Sequence, residues 1–148
     1  MTIKEKVTQS HYFKKTLFAL SKSVLGRNLK FRDLHDGETC YIFGNGVSIK
    51  SMDLKNFSDK ISIGCNNLFL HKDFIELDCR YYQIPAPFIF LPFFKYNNKL
   101  QRNYVSSIYR GKINIFNKTN YFTSIFNKFS TGASNVYYQH HFGNRSSI

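Results

Sequence analysis

The feature that most constrains the fold is an apolar run, Cys40 to Phe43, that stops abruptly at two glycines separated by one asparagine. The run has no polar alternation, which is typical of a central strand covered on both faces. Gly44 and Gly46 permit backbone conformations that residues with a Cβ avoid, and we expect Ser48 to cap a short helix over 49–54. A strand, a glycine turn and a helix start in this order suit a phosphate or another anion.

A second apolar run, Ile61 to Cys65, ends in two asparagines, Asn66 and Asn67. A helical pattern follows over 68–76, and a third strand is expected over 79–84. Strands that alternate with short helices predict an α/β fold, a Rossmann-like, mostly parallel sheet with flanking helices. Because the ligand crevice of such a sheet lies at the carboxyl ends of its strands, the glycine turn and the asparagines are predicted to meet there.

The later part of the chain is less regular. Residues 88–91 are interpreted as a fourth, short or edge strand, and the polar, basic stretch 95–118 as a mobile connection with a further short strand over 112–116. Residues 130–134 resemble a loop that caps a helix over 133–140. The last eight residues are polar where a doubly wound sheet adds another apolar strand, so the sequence predicts a domain incomplete at its C-terminus.

We divide the chain into a basic amphipathic helix with a linker over 1–37 and a partial α/β domain over 38–148. The helix covers 11–30, where apolar side chains recur near helical spacing with lysines on the other side. Two interpretations stay open: a helix that packs on the domain and exposes its basic face, or an anchor on an anionic membrane surface.

Composition limits the partners. Twenty-one Lys and Arg against nine Asp and Glu give a net charge of +12, so we expect an anionic partner: a phosphorylated substrate, an acidic membrane surface or nucleic acid. The stretch 96–110 interleaves aromatic and basic side chains, as nucleic-acid-binding surfaces do. Because Lys, Asn, Ile, Phe and Tyr are also abundant when the coding DNA is rich in A and T, nucleic acid is the weaker alternative.

The expected location is the cytoplasm. Lysines interrupt every apolar run near the N-terminus, so we expect neither a signal peptide nor a spanning helix. The three cysteines lie in or beside apolar runs and form no C-x-x-C pair. They are interpreted as reduced core residues: Cys40, Cys65 and Cys79.

Familiar ligand-binding motifs do not fit the glycine turn. The dinucleotide fingerprint G-x-G-x-x-G fails because Ile49 replaces its third glycine and no acidic residue follows about 20 positions on. The sequence contains neither a P-loop nor an Asp-x-Asp pair, so we expect no cofactor and no metal. His140 and His141 have no partner carboxylate nearby and are interpreted as solvated ends of a helix; the other histidines, His71 among them, are isolated. A turn without a ligand, with Asn66 as a helix N-cap, stays an open alternative.

The sequence Cys40-Tyr-Ile-Phe-Gly-Asn-Gly-Val-Ser-Ile-Lys50, followed by Met52-Asp-Leu54 and Ile63-Gly-Cys-Asn66, resembles the N-terminal part of bacterial glycosyltransferases of family 42, the sialyltransferase type, and of related surface-polysaccharide enzymes. Ser130-Thr-Gly132 is similar to their later Ser/Thr-Gly loop. The resemblance implies a metal-independent transferase in which these segments surround a sugar nucleotide, CMP-sialic acid in the sialyltransferases. The contact residues it implies are Gly44, Asn45, Gly46, Ser48, Asn66, Ser130, Thr131 and Gly132.

The chain departs from that family in three respects. Val47 replaces a proline of the turn, and the segment before the Ser/Thr-Gly loop is shorter. The family's next strand, with its Gly-x-Asp element, and the region that holds its histidine general base have no counterpart before Ile148. No catalytic residue is therefore carried over to this chain.

The sequence thus predicts a glycosyltransferase-like protein that binds a sugar nucleotide for lipopolysaccharide or capsule assembly. Its acceptor would be a glycan or glycolipid, and its basic surface would hold it at the cytoplasmic face of the inner membrane. Loss of the catalytic region predicts binding without transfer. The alternative is a small basic module that binds nucleic acid or anionic lipid.

Overall fold

The computed structural model describes residues 19, 21–85, 89–90 and 99–140 of the 148. The chain divides into two compact units, Met1–Leu34 and His35–Ile148. In the described part of the first unit, residues 21–26 are helical and continue into a 3-10 turn, Arg27–Phe31. The helix predicted over 11–30 is present across 21–26, whereas 11–18 and 20 lie outside the described residues.

The second unit contains a five-stranded, all-parallel sheet, which confirms the predicted α/β, Rossmann-like class. The strands lie side by side in chain order, without a reversal. Helix α1 (Phe74–Leu77) connects the second and third strands, and α2 (Lys99–Ile115) the third and fourth. The strands are β1 (Cys40–Phe43), β2 (Ile61–Cys65), β3 (Tyr81–Gln83), β4 (Asn120–Ser124) and β5 (Val136–Gln139).

The first two connections cover one face of the sheet. Phe43, Gly64 and Tyr82 are in register on neighbouring strands, so they point to the same side. Phe57, in the connection after β1, packs edge-to-face on Phe43 with 5.2 Å between ring centroids. Phe74 of α1 packs in the same way on Tyr82 at 5.8 Å. The connections after β1 and β2 therefore lie on the same side of the sheet.

The last two connections cover that face as well. The Tyr121 hydroxyl of β4 donates to the carbonyl oxygen of Lys112 in α2 at 3.2 Å. The Lys128 ammonium, after β4, lies 5.4 Å from the ring centroid of Tyr138 in β5. Right-handed crossovers that always step in one direction across a sheet put every connection on one side. The described connections accordingly form a single layer, and Phe43, Tyr82, Tyr121 and Tyr138 are buried between this layer and the sheet.

The opposite face is partly open. Cys40 is exposed there and Ile42 is 74% exposed, so β1 is an edge strand and the expectation of a central strand covered on both faces is wrong. An apolar run does not reveal how many neighbours a strand has. Farther along this face, Tyr81, Phe122 and Tyr137 form an aromatic stripe with centroid distances of 6.2 and 5.6 Å.

Short 3-10 turns replace the helix predicted over 49–54 and the first part of the helix predicted over 68–76. The turn Val47–Ser51 follows β1, and its N-cap residue is Gly46, not the predicted Ser48. The next turn is capped by the Asp53 side chain, which accepts from Lys55 N at 3.1 Å. The predicted helix over 68–76 is broken into a 3-10 turn and α1 by extended backbone at His71. The 3-10 turns of this unit are Val47–Ser51, Leu54–Phe57, Leu68–Leu70 and Ile125–Phe129.

Two elements of the later chain differ from the sequence expectation. The stretch expected to be a mobile connection with a strand over 112–116 contains α2, because Tyr109 and Ile113 recur at helical spacing and are 3% and 4% exposed. The helix expected over 133–140 is instead β5, since Val136, Tyr137 and Tyr138 are consecutive buried residues of types that favour strands. The strand expected over 88–91 falls partly outside the described residues, and 89–90 form a turn.

Helices in the described part of the chain are too short or too polar to cross a membrane. The cysteines are free thiols, but only Cys79 is a core residue, since Cys40 is exposed and Cys65 is half-buried.

Candidate ligand site at the carboxyl edge of the sheet

The glycine turn and the asparagine pair lie side by side. β1 ends at Phe43, which is paired with Gly64 near the end of β2, so the segments that follow the two strands are neighbours. The Asn66 side-chain nitrogen donates to Asn45 Oδ1 at 3.4 Å, which is long for a hydrogen bond. Of the predicted contact residues, Asn45 and Asn66 are in direct contact at this edge, and Gly44, Gly46 and Ser48 belong to the same segment after β1 as Asn45.

The glycines of the turn supply open surface, not an unusual backbone. Gly46 has φ −63° and ψ 162°, a conformation that any residue adopts, and among the described glycines only Gly37 has a positive φ. The turn therefore does not use the conformational freedom that Gly44 and Gly46 permit. A Cβ at Gly44 would meet no atom within 4 Å, so the backbone of the turn is bare and accessible.

Asn66 is the residue with an uncommon backbone. Its φ of 55° lies in the left-handed region, which asparagine tolerates better than most residues. Two tyrosine hydroxyls donate to its carbonyl oxygen, Tyr82 at 2.6 Å and Tyr109 at 2.8 Å. The N-cap residue of the next turn is Asn67, whose side chain makes no capping bond. The alternative in which Asn66 is the N-cap is therefore wrong.

A concavity of about 240 Å³ opens beside Asn45, between the turns that follow β1 and β2. Lys50 contributes a positive charge to it, and Leu68 and Leu70 contribute apolar walls. The full lining is Asn45, Ile49, Lys50, Asn67, Leu68, Leu70 and His71. Its chemistry combines amides, one cation and apolar surface.

His71 joins the two turns. Its side chain is 5% exposed; Nε2 lies 2.9 Å from the Ile49 carbonyl oxygen, and Nδ1 accepts from the Asp73 backbone N–H at 3.1 Å. Because Nδ1 accepts, the ring proton is on Nε2 and is donated to Ile49. The buried Asp73 carboxylate accepts from Leu54 N at 3.3 Å. His71 and Asp73 therefore fix the wall of the concavity.

The remaining predicted contact residues line a different concavity. Ser130, Thr131 and Gly132 lie beside Arg110 of α2 around a volume of about 170 Å³. Arg110 donates to the Ser130 carbonyl oxygen at 2.6 Å. Thr131 is 7% exposed, and its hydroxyl donates to the Asn127 carbonyl oxygen at 2.8 Å. The structure does not bring these three residues into the Asn45 concavity.

Sequence reasoning missed Lys50, His71, Tyr82 and Tyr109. His71 is an isolated histidine in the sequence because its partners are backbone groups, which leave no side-chain pattern. Lys50 was one of many lysines, and only its place two residues after Ser48 could have singled it out. His140 follows β5, where burial lowers the pKa of its imidazole, and His141 lies outside the described residues.

Within the described ranges, no three His, Cys, Asp or Glu side chains are grouped so that they could hold a metal ion. No protein-family model, curated protein or solved structure matches this chain.

Proposed function

We propose that the second unit binds a sugar nucleotide at the carboxyl edge of β1 and β2. The observation that carries the proposal is the pair of amides, Asn45 and Asn66, that meet across the ends of two neighbouring parallel strands. Among the described residues neither the Asn45 side-chain nitrogen nor the Asn66 side-chain oxygen has a partner, so the pair offers an NH₂ group as donor and a carbonyl oxygen as acceptor to a ligand.

The surroundings suit the two parts of a nucleotide. Neutral amides match the edge of a base or the hydroxyls of a ribose. Lys50 and the bare backbone from Gly44 to Gly46 favour phosphate oxygens, and the net charge of +12 attracts an anionic ligand. The resemblance to sialyltransferase-type enzymes supports a CMP-sugar as the first donor to test.

The size of the concavity limits how the ligand is held. About 240 Å³ is below the roughly 300–1,000 Å³ of pockets that enclose a whole small ligand. We assign the concavity to the nucleoside part, with the phosphate and sugar lying over the exposed Gly44–Gly46 turn. Ligand affinity then depends on a few polar contacts.

The proposal covers donor binding and does not assign a catalytic base. A base must reach the acceptor hydroxyl and accept its proton. His71 lines the concavity, but both of its ring nitrogens are engaged with backbone groups. The wider proposal, transfer to a glycan or glycolipid at the cytoplasmic membrane surface, rests on the resemblance alone.

Calorimetric titration of the purified chain with CMP, CMP-sialic acid and uridine-diphosphate sugars tests the proposal. We expect Asn45→Ala and Asn66→Ala each to weaken the best ligand by about 0.5–1.5 kcal/mol, the usual net value of one hydrogen bond. Asn117→Ala, at an exposed asparagine after α2, is the matched control. Ser130→Ala tests whether the second concavity takes part.

The outcomes separate the alternatives. If folded wild-type protein binds none of these nucleotides, the proposal is wrong. If both asparagine variants bind with unchanged affinity, the site assignment is wrong. Weaker binding in Ser130→Ala but not in the asparagine variants would move the site to the concavity beside α2.

A second candidate, an anion-binding module for nucleic acid or anionic lipid, is favoured by a different surface. Lys60, Arg80 and Lys118 precede β2, β3 and β4 and line a concavity of about 260 Å³ at the amino edge of the sheet. Two carboxylates share it, Asp78 and an Asp59 that is paired with Lys60 at 2.8 Å, so its excess charge is small. Oligonucleotide or anionic-vesicle binding that falls steeply with salt and is lost in Arg80→Ala would favour this candidate.

A further inference from the structure

We infer that Tyr82 and Tyr109 are positioning residues that hold Asn66 in its left-handed conformation and so aim its side-chain amide at the ligand. The inference rests on the proposed function for its last step. Its structural part, that two hydroxyls fix the backbone of Asn66, is independent of any ligand. The two parts are tested by separate measurements.

The backbone of Asn66 requires an explanation. A positive φ has a cost for any residue other than glycine, even for asparagine, and it persists where the surroundings hold it. Asn66 has φ 55° at the point where the chain leaves β2, and its side chain turns toward Asn45. A relaxed backbone at this point would carry the amide elsewhere.

The tyrosine hydroxyls supply the constraint from two different elements. Tyr82 lies on β3 and Tyr109 on α2, and their oxygens are 2.6 and 2.8 Å from the Asn66 carbonyl oxygen. A carbonyl oxygen has two lone pairs, and here each can accept one hydroxyl. The peptide group that follows Asn66 is thereby fixed from the side of the core.

The direction of one of these bonds is determined. The Phe69 backbone N–H donates to the Tyr82 oxygen at 3.3 Å, so the Tyr82 proton is free to go to Asn66. Tyr82 is 1% exposed, and burial raises the pKa of its hydroxyl far above the usual value, so it stays a donor at any physiological pH.

Packing holds both rings in place. The Tyr109 ring, 3% exposed as a residue, packs edge-to-face on Phe69 at 5.2 Å and on Phe90 at 6.4 Å between centroids. The Tyr82 ring lies against Gly64, where no side chain intervenes. Neither hydroxyl can leave Asn66 without disturbing the core. The amide is thus set before a ligand arrives, which lowers the ordering cost of binding.

The test uses Tyr82→Phe, Tyr109→Phe and the double variant in the full chain. Tyr121→Phe is the matched control, because it also removes a buried tyrosine hydroxyl that donates to a carbonyl oxygen, but that of Lys112 and not that of Asn66. Two quantities are measured on each: the three-bond HN–Hα coupling of Asn66 by NMR, which reports φ, and the dissociation constant for the best nucleotide by calorimetry.

We expect the coupling of Asn66 to change in the double variant and to stay at the wild-type value in Tyr121→Phe. Affinity should fall about threefold to tenfold in each single variant, as expected for one hydrogen bond, and should stay unchanged in Tyr121→Phe. A folded double variant with wild-type coupling overturns the inference. A changed coupling without a change in nucleotide affinity overturns its last step.

The proposed function can fail separately. If wild-type protein binds no sugar nucleotide, the functional proposal falls and the ligand step of this inference falls with it. The NMR coupling still decides whether the hydroxyls hold Asn66.

Discussion

The Tyr82 ring lies directly against the backbone of Gly64, the residue beside it on β2. A Cβ at Gly64 would lie 3.0 Å from two ring carbons of Tyr82 and 2.8 Å from a methyl carbon of Leu68. This is closer than side-chain carbons approach one another, so the strand requires glycine here for space. The same close approach lets the Tyr82 hydroxyl reach Asn66 at the end of β2.

We expect Gly64→Ala to destabilise the protein by about 1–3 kcal/mol, since added volume in a packed core forces neighbouring groups to move. The Tyr82 ring and Leu68 are both fully buried and have little room to shift. Urea unfolding followed by far-UV circular dichroism measures the change. A free energy of unfolding within 0.3 kcal/mol of wild type, on the order of the error of such measurements, contradicts the packing argument.

Gly111→Ala is the control and a prediction in its own right. Gly111 lies inside α2, and a Cβ there would meet no atom within 4 Å. Alanine in a helix interior is favoured over glycine by about 0.5–1 kcal/mol. The same unfolding measurement should therefore show stabilisation, opposite in sign to Gly64→Ala, and equal destabilisation by both alanines would point to a general intolerance of change.

The fold class could be predicted from the first 84 residues, whose apolar runs and turns alternate with a clear period. The elements after residue 95 could not. In α2 the buried positions Tyr109 and Ile113 have Asn, Ser and Gly as neighbours in the sequence, and these residue types disfavour helices. Local composition therefore hid a helix that is stabilised by tertiary packing. The polar neighbours of β5 had the reverse effect and made a buried strand resemble a capped helix.

The sequence predicted the part of the candidate site that follows directly from the ends of strands. Residues that follow two adjacent parallel strands lie close together, as Asn45 and Asn66 do. The placement of Ser130 beside Arg110 depends on where α2 packs, and the bond from Tyr109 to Asn66 joins residues 43 positions apart. Spacing in the sequence carries no information about such contacts.

Stability should fall at alkaline pH because of the buried tyrosines. Burial raises the pKa of Tyr82 and Tyr121 above the usual value of about 10. Above that pH the unfolded chain loses these protons while the folded chain keeps them, so the free energy of unfolding decreases as pH rises, by up to about 1.4 kcal/mol per pH unit for each group. At lower pH both states keep the protons and neither group contributes a slope.

Urea unfolding from about pH 9 to about pH 11 measures this slope. Tyr121→Phe should make the decline shallower, whereas Tyr104→Phe, at a tyrosine that is 69% exposed, should leave it unchanged. An equal slope in wild type and Tyr121→Phe would show that this hydroxyl ionises in the folded protein as it does in the unfolded chain.

The thiols should differ in reactivity. Cys40 is exposed, whereas Cys79 is 2% exposed, donates to the Tyr81 carbonyl oxygen at 3.1 Å and has its pKa raised by burial. Because the thiolate is the reactive form, iodoacetamide should modify Cys40 in native buffer and reach Cys79 only after unfolding. Peptide mass spectrometry over time checks this. Rapid modification of Cys79 in native Cys40→Ser protein would contradict its burial.

Replacement of His71 should loosen the wall of the candidate site as well as the fold. The His71 side chain is 5% exposed. His71→Ala removes the donor to the Ile49 carbonyl oxygen and the acceptor for the Asp73 backbone N–H. A buried polar group left without a partner costs about 1–3 kcal/mol, so we expect the free energy of unfolding to fall by an amount in that range. Lys72→Ala, at the exposed neighbouring residue, is the control.

In His71→Ala, amide hydrogen exchange should also become faster at Val47–Ser51, because His71 links this turn to the segment after β2. Unchanged exchange at that turn, in a variant that is destabilised overall, would show that His71 acts on the core and not on the site.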